Sequence, residues 1–203
     1  MLEFAGRHCL VAGGGATALR KTNDLLAAEA EVTVIAREML PAFTGLAVRK
    51  LCRDVCAKDI DGMQLVVDAT GDPSVGHMLA EACQARQIFF NAASDPQQST
   101  ALFPAVLRRG PLVAGFSTTG ASPTAAAWLR DRMEENLSAH FEEILLQMRE
   151  LRSRAREQIP QRKARAIFLR CCFDLAMQLD RPLTENEICT CMIQQESFAY
   201  DEP

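Results

Sequence analysis

The sequence predicts an α/β protein in which a parallel sheet with crossover helices comes first and a helical region follows. Three observations carry this expectation. Short, continuously apolar runs alternate with helix-length stretches up to about residue 112, and a glycine-rich turn joins the first run to the first such stretch. Beyond that point apolar residues recur every three or four positions instead. Runs that are apolar throughout, rather than at alternate positions, suit strands covered on both faces.

The elements follow in order. His8–Ala12 is the first apolar run and ends in Gly13-Gly14-Gly15. Ala16–Ala30 reads as a helix, Val32–Ala36 as the second strand and Val48–Val55 as a short third. Leu65–Ala69 is the fourth strand, Pro73–Gln84 a helix, Ile88–Asn91 the fifth strand and Leu112–Ser117 the sixth. Leu129, Met133, Leu137, Phe141, Leu145, Met148 and Leu151 form one stripe on a single long helix. Pro160 breaks it, Ala164–Leu179 is the next helix, and Pro182 stops the chain again. Thr184-Glu-Asn-Glu187 is a capping box opening a last helix that runs to about Gln195. The expected domains are residues 1–112, 113–150 and 151–203.

Composition narrows the function classes. At 203 residues, 48% hydrophobic and 24% charged, the chain can bury a core, which excludes a disordered or collagen-like polymer. Its 22 basic and 26 acidic residues give a net charge of −4, so no overall basic field calls for nucleic acid or a membrane surface. No apolar run approaches the ~18 residues of a membrane span. Residues 1–10 hold Glu3, Arg7 and His8 and no signal-peptide core, so the eight cysteines are expected as reduced thiols of a cytoplasmic protein.

Gly13-Gly14-Gly15-Ala16-Thr17-Ala18 fits G-x-G-x-x-G/A between a strand and a helix, the fingerprint of a Rossmann-type dinucleotide site. Gly13 permits the tight turn, Gly15 lets the backbone approach a pyrophosphate, and Ala18 lets helix and sheet pack closely. The phosphates would rest on the helix N-terminus, against Gly14, Ala16 and Thr17, where free N–H groups and the dipole favour anions. The second strand runs out into Arg37-Glu38: Glu38 suits a ribose, Arg37 suits a 2′-phosphate, and both also suit a solvated loop, so NAD and NADP stay open. Thr70, just past the fourth strand, is placed to touch the cofactor or to cap the next helix with Asp72.

Several strings together resemble the precorrin-2 dehydrogenase and sirohydrochlorin ferrochelatase family, which is also the N-terminal part of bifunctional siroheme synthase. They are Val11–Gly15 with Ala18-Leu-Arg-Lys21, Val32–Ile35, Val67–Thr70 with Asp72-Pro73, Asn91–Pro96, Phe103–Leu112 and Ser117–Pro123, in order over residues 2–150 or so. The last two are specific, since generic dinucleotide folds have no reason to carry them. No methyltransferase domain follows, so the likeness is to the stand-alone form. The resemblance implies a helical dimerisation region after the sheet, a homodimer, and oxidation of a tetrapyrrole, precorrin-2, by NAD. In some members insertion of Fe²⁺ follows, with Fe²⁺ or Co²⁺ as chelation substrate. It also implies that Asn91, Arg108, Arg109, Ser117, Thr118 and Ser122 meet the polyanionic substrate. Aligned on Asn91 and Pro96, the family's key carboxylate falls on Ser94 here, which puts chelation in question and leaves neighbouring Asp95 as candidate base or turn residue. Gly76 stands where the family often has asparagine.

Other constellations are weaker. Cys52 and Cys56, Cys171 and Cys172, and Cys189 and Cys191 have neither C-x-x-C spacing nor a nearby histidine, and His8, His77 and His140 are scattered, so no resident metal is expected. Arg149, Arg152, Arg154, Arg156, Arg162, Lys163, Arg165 and Arg170 face only Glu150 and Glu157 in their stretch. With the charge balance acidic elsewhere, this reads as a solvated helix face rather than a nucleic-acid grip. Two rival readings remain: a dehydrogenase without chelatase activity, and a non-catalytic protein that senses a nucleotide or tetrapyrrole.

Overall fold

The computed structural model describes residues 3–199 and divides between Phe103 and Pro104 into two compact units. The first unit is a five-stranded sheet of order β3-β2-β1-β4-β5. Its elements are β1 (His8–Ala12), α1 (Ala16–Leu26), β2 (Glu31–Ala36), β3 (Arg49–Cys52), β4 (Leu65–Asp68), α2 (Pro73–Arg86) and β5 (Phe89–Ala92). Every pairing in it is parallel.

The apolar strands bury both faces. Cys9 and Val11 of β1 pack with Ala18 and Leu25 of α1, while Leu10 and Ala12 pack on the opposite side with Leu79 and Cys83 of α2. The alternation of strand side chains thus feeds two separate cores, one under each helix. The free edge of β5 is covered by its own continuation. Thr100 Oγ1 and Ser99 Oγ accept from the backbone N–H of Phe90 and Ala92 at 2.8 and 2.9 Å, and Thr100 N returns a bond to Phe90 O at 2.8 Å.

Ala12, Asp68 and Ala92 stand level in the ladder, so the loops after β1, β4 and β5 leave the sheet side by side. Backbone bonds hold them there: Gly13 N to Ile35 O at 2.9 Å, Ala69 N to Ala12 O at 2.8 Å, and Ala93 N to Asp68 O at 2.8 Å.

The second unit holds an antiparallel hairpin, β6 (Ala105–Arg109) with β7 (Leu112–Phe116), then α3 (Pro123–Asn136), α4 (Phe141–Gln158), α5 (Arg162–Leu179) and α6 (Glu185–Ala199). Ile144, Leu151 and Ala155 of α4, Phe168, Cys172 and Ala176 of α5, and Ile188 and Cys191 of α6 make its core. The expected capping box is present, with Glu187 Oε2 accepting from Thr184 N at 2.7 Å.

The structure corrects four expectations. Leu112–Phe116 is not a sixth parallel strand: it pairs antiparallel with a strand the sequence reading missed. Only Gly110 and Pro111 separate the two, far too few residues for a parallel crossover. The same hairpin explains why the chain divides ahead of β6 and not at 112, which would cut it just past its turn. The stripe from Leu129 to Leu151 lies on two helices, not one. Leu137 is extended at φ −77°, ψ 131°; Asn136 Nδ2 donates to Arg132 O at 2.6 Å, and Ser138 Oγ accepts from His140 N at 3.0 Å. Both polar side chains satisfy backbone groups that a continuous helix would have used, so they end it. The third strand is four residues long, and Ala57–Ile60 forms a 3-10 turn.

Candidate functional site

The loop from β1 to α1 is shaped by three glycines doing three different things. Gly13 has φ +119°, and a Cβ there would lie 2.5 Å from Ala69 O. A Cβ on Gly14 would lie 1.9 Å from Glu38 O, so this glycine locks the loop against the end of β2, with Leu40 N bonded to Gly14 O at 3.0 Å. A Cβ on Gly15 would meet nothing within 4 Å. Gly15 is the N-cap of α1; it makes no side-chain cap bond, and the first turn contains no acidic residue. The first-turn amides of the exposed Ala16 and Thr17 therefore lie beside a glycine with open space around it, the arrangement a pyrophosphate needs. Ala18 is fully buried against the sheet, as its place in the fingerprint requires.

At the end of β2, Arg37 is not a free cation. Its Nε and Nη2 donate to the two carboxylate oxygens of Asp54 at 2.5 and 3.0 Å. The pairing holds the Asp54 carboxyl below its ordinary range and raises Arg37. Glu38 is exposed, and its backbone carbonyl abuts Gly14.

Past β4, Thr70 is exposed and tied to a carboxylate the sequence reading passed over. Asp68 is 3% exposed, and its Oδ1 accepts from Thr70 N at 3.0 Å and Thr70 Oγ1 at 2.6 Å. Thr70 Oγ1 in turn accepts from Asp72 N at 3.2 Å, and Asp72 caps α2 through Ser74 N at 2.8 Å. Gly76 makes this possible, since a Cβ there would stand 3.0 Å from Asp68 Oδ2. The glycine that departs from the family pattern leaves room for a buried acid. Its signal was visible: a charged residue at the end of an otherwise apolar run.

Past β5, Asn91 is buried; its Nδ2 donates to Ala101 O at 2.8 Å and its Oδ1 has no partner among the described residues. Ser94 is exposed. Asp95 caps the 3-10 turn Pro96–Gln98, with Oδ1 accepting from Gln97 N at 3.1 Å and Oδ2 from Gln98 Nε2 at 2.8 Å.

In the second unit, Arg108 and Arg109 point to opposite sides of β6. Arg108 is exposed, whereas Arg109 donates to Leu137 O at 3.4 Å and Ala139 O at 3.2 Å, pinning the turn that separates α3 from α4. Ser122 caps α3 through Ala125 N at 3.1 Å, and Thr118 Oγ1 bridges to Ser122 N and O. Ser117 Oγ accepts from Thr119 N at 3.2 Å and remains exposed. These hydroxyls knit the loop that leads into α3.

Among the described residues, no group of three or more His, Cys, Asp or Glu is arranged to hold a metal ion, and no helix is long and apolar enough to cross a membrane. In the basic stretch, Arg154 pairs with Glu185 at 2.9 Å, Arg170 with Asp174 at 2.6 Å, and Arg165 donates to Ile159 O and Pro160 O at 2.8 Å.

Residues 1–105, the sheet and its loops, match the family described as "Putative NAD(P)-binding". The chain belongs to this NAD(P)-binding family. Siroheme synthase of Methylococcus capsulatus is 37% identical over 171 residues, 82% of this chain and 36% of that protein. Siroheme synthase 1 of Aeromonas hydrophila is 35% identical over 187 residues, 88% of this chain and 40% of that protein. The chain thus spans two fifths or less of these relatives. A solved structure titled "SirC, precorrin-2 dehydrogenase" aligns with a TM-score of 0.76 at 23% identity, over 97% of this chain and 98% of that one, and shares its fold.

Proposed function

We propose that this chain oxidises precorrin-2 to sirohydrochlorin with NAD and does not go on to insert a metal. The observation that carries the reading is the open glycine loop, Gly13–Gly15 with the free first turn of α1, in a chain of the NAD(P)-binding family whose relatives include siroheme synthases. When bound, the dinucleotide accepts the hydride; precorrin-2 gives up that hydride and one proton, leaving sirohydrochlorin, the reduced dinucleotide and H⁺.

The chain's own residues orient and take the proton. Gly15, Ala16 and Thr17 hold the pyrophosphate, and Thr70, fixed by Asp68, sits at the adjoining strand end. Asn91 keeps a buried Oδ1 with no partner among the described residues. Asp95 is the proton acceptor: each oxygen accepts one bond within its turn, and a carboxylate has further lone pairs to offer. Arg108 pairs with a substrate carboxylate, while Arg109 secures the turn behind it. Ser117, Thr118 and Ser122 shape the loop ahead of α3. Chelation is left out because Ser94 stands at the family's carboxylate position and a hydroxyl cannot replace a charged metal-steering group.

The protein acts as a homodimer through α3, where Trp128 is 61%, Leu129 43% and Met133 44% exposed. Leu129→Arg should turn a dimer into a monomer by light scattering; an unchanged dimer would place the seam elsewhere. The function itself is tested by incubating the protein with precorrin-2 and NAD⁺ and following the macrocycle's visible spectrum. Sirohydrochlorin should form, and added Fe²⁺ or Co²⁺ should change nothing further. Dinucleotide binding without turnover would instead mark a sensing protein.

A further inference from the structure

The end of β2 carries a paired charge beside the glycine loop. Arg37 is the first residue after β2, and its neighbour Glu38 is pressed against Gly14, so Arg37 leaves the sheet beside the glycine loop. In dinucleotide folds this is where the adenosine ribose lies and where an arginine accommodates a 2′-phosphate. Here the guanidinium's Nε–Nη2 edge is already taken by Asp54, from the loop after β3, in a bidentate pair at 2.5 and 3.0 Å. That edge is the one a phosphate would use for its own bidentate contact.

Asp54 is itself held. Arg53 Nη1 donates to the Asp54 carbonyl at 2.8 Å, and Arg53 is anchored to Asp59 by bonds of 2.7 and 2.6 Å. Asp59 also accepts from Cys56 N at 2.8 Å, so the whole turn after β3 is braced around the acid. The Asp72 carboxylate also acts on Arg37 through space. One cation therefore sits in the field of two carboxylates, at the place where NADP would add a phosphate of about −1.5 to −2 charge.

We propose that Asp54 sets the cofactor preference: by occupying Arg37 and adding its own charge, it excludes a 2′-phosphate and selects NAD over NADP. The proposal rests on the dinucleotide reading above and names the residue that decides between its two forms. A free ribose hydroxyl carries no charge and loses nothing to the pair, whereas a 2′-phosphate must either displace Asp54 or lie beside it. An arginine at this position, which by itself favours NADP, is converted into an NAD device by a partner seventeen residues on in the chain.

The test is binding, measured by calorimetry on the full chain with NAD⁺, NADP⁺ and 2′,5′-ADP. The parent should bind NAD⁺ more tightly than NADP⁺. Asp54→Asn and Asp54→Ser, checked for parent-like thermal unfolding, should bind NADP⁺ and 2′,5′-ADP about tenfold more tightly, with NAD⁺ nearly unchanged. Adding Arg37→Ala to Asp54→Asn should erase that gain, and so should 1 M salt, because the interaction is exposed. A parent that prefers NADP⁺, or a Asp54→Asn chain whose NADP⁺ to NAD⁺ ratio equals the parent's, overturns the assignment to Asp54 and leaves the dinucleotide reading standing. A parent that binds neither dinucleotide overturns both.

Discussion

Two loops leave the same end of the parallel sheet and are built from opposite materials. The loop after β1 is backbone: Gly13, Gly14 and Gly15 offer no side chains, and their task is to let main chain approach main chain or a ligand. The loop after β5 is side chain: Ser99 and Thr100 hydroxyls bond the strand's N–H groups, Asn91 reaches Ala101 O, and Asp95 caps its own turn. A backbone-built site keeps its chemistry as long as the glycines stay, because every residue has the same amide. A side-chain-built site can lose or gain a reaction with one substitution, and the proposed role of Ser94 in chelation rests on that difference.

The contrast is sharpest inside the glycine loop, where adjacent positions should fail differently. Gly14→Ala puts a Cβ 1.9 Å from the Glu38 carbonyl oxygen, a clash with backbone that cannot be relieved by a rotamer. It should prevent accumulation of folded protein, read as loss of the cooperative thermal transition. Gly15→Asp meets open space, so it should fold like the parent yet bind NAD⁺ at least roughly 10²-fold more weakly, from bulk and charge against the pyrophosphate. Unaltered NAD⁺ affinity in the folded Gly15→Asp protein would mean that the loop is only a turn.

The β5 loop should respond through chemistry with its fold intact. Asp95→Asn keeps a side-chain oxygen for Gln97 N, so the cap survives, but it removes the charge and the basicity. Sirohydrochlorin formation should fall about 10²-fold or more, with NAD⁺ affinity held. Turnover at the parent rate would assign Asp95 to capping alone and send the proton to water. Ser94→Asp is the milder change, at an exposed position with nothing to displace. It should leave dehydrogenation within about twofold and raise insertion of Co²⁺ or Fe²⁺ about tenfold, short of the ~10²-fold or more that a fully positioned acid–base group supplies. No rise would show that chelation lacks more than one carboxylate.

This division also decided what was legible in the sequence. Strands β1, β2, β4 and β5 and the glycine loop follow from apolar runs and a local fingerprint, because both signals lie within a few residues. Leu112–Phe116 is legible as a strand but its partner is not, since β6 is only three apolar residues followed by two arginines, with no alternation to mark it. The break between α3 and α4 is not legible, because periodicity continues through Leu137 while Asn136 and Ser138, which end one helix and precede the next, do not interrupt the count. Asp54 could not be found at all: nothing local links it to Arg37, and only the β2–β3 pairing brings the two together. Asp68 could have been found, from its charge at the end of an apolar run.

The smallest effect lies where the two regions meet. Lys21, on the helix that the glycine loop opens, is 9% exposed and places its Nζ 3.7 Å from the ring centroid of Phe103, at the end of the segment that covers β5. Burial pushes its pKa from 10.5 down to about 8, against the pull of Asp24. The folded state therefore sheds this proton near pH 8 and the unfolded chain near pH 10.5, and between these the unfolded chain binds more protons, so the parent gains stability as pH rises through that window. Lys21→Met keeps an unbranched apolar stem on Phe103 and removes the charge. At pH 7 it should melt a few degrees higher than the parent. That advantage should shrink from pH 8 to 10.5, measured by thermal unfolding at stepped pH, and NAD⁺ affinity should stay the same. A variant less stable than the parent at pH 7 would show that the ammonium–ring contact outweighs desolvation, and that a side-chain charge, after all, helps to hold the backbone-built loop in place.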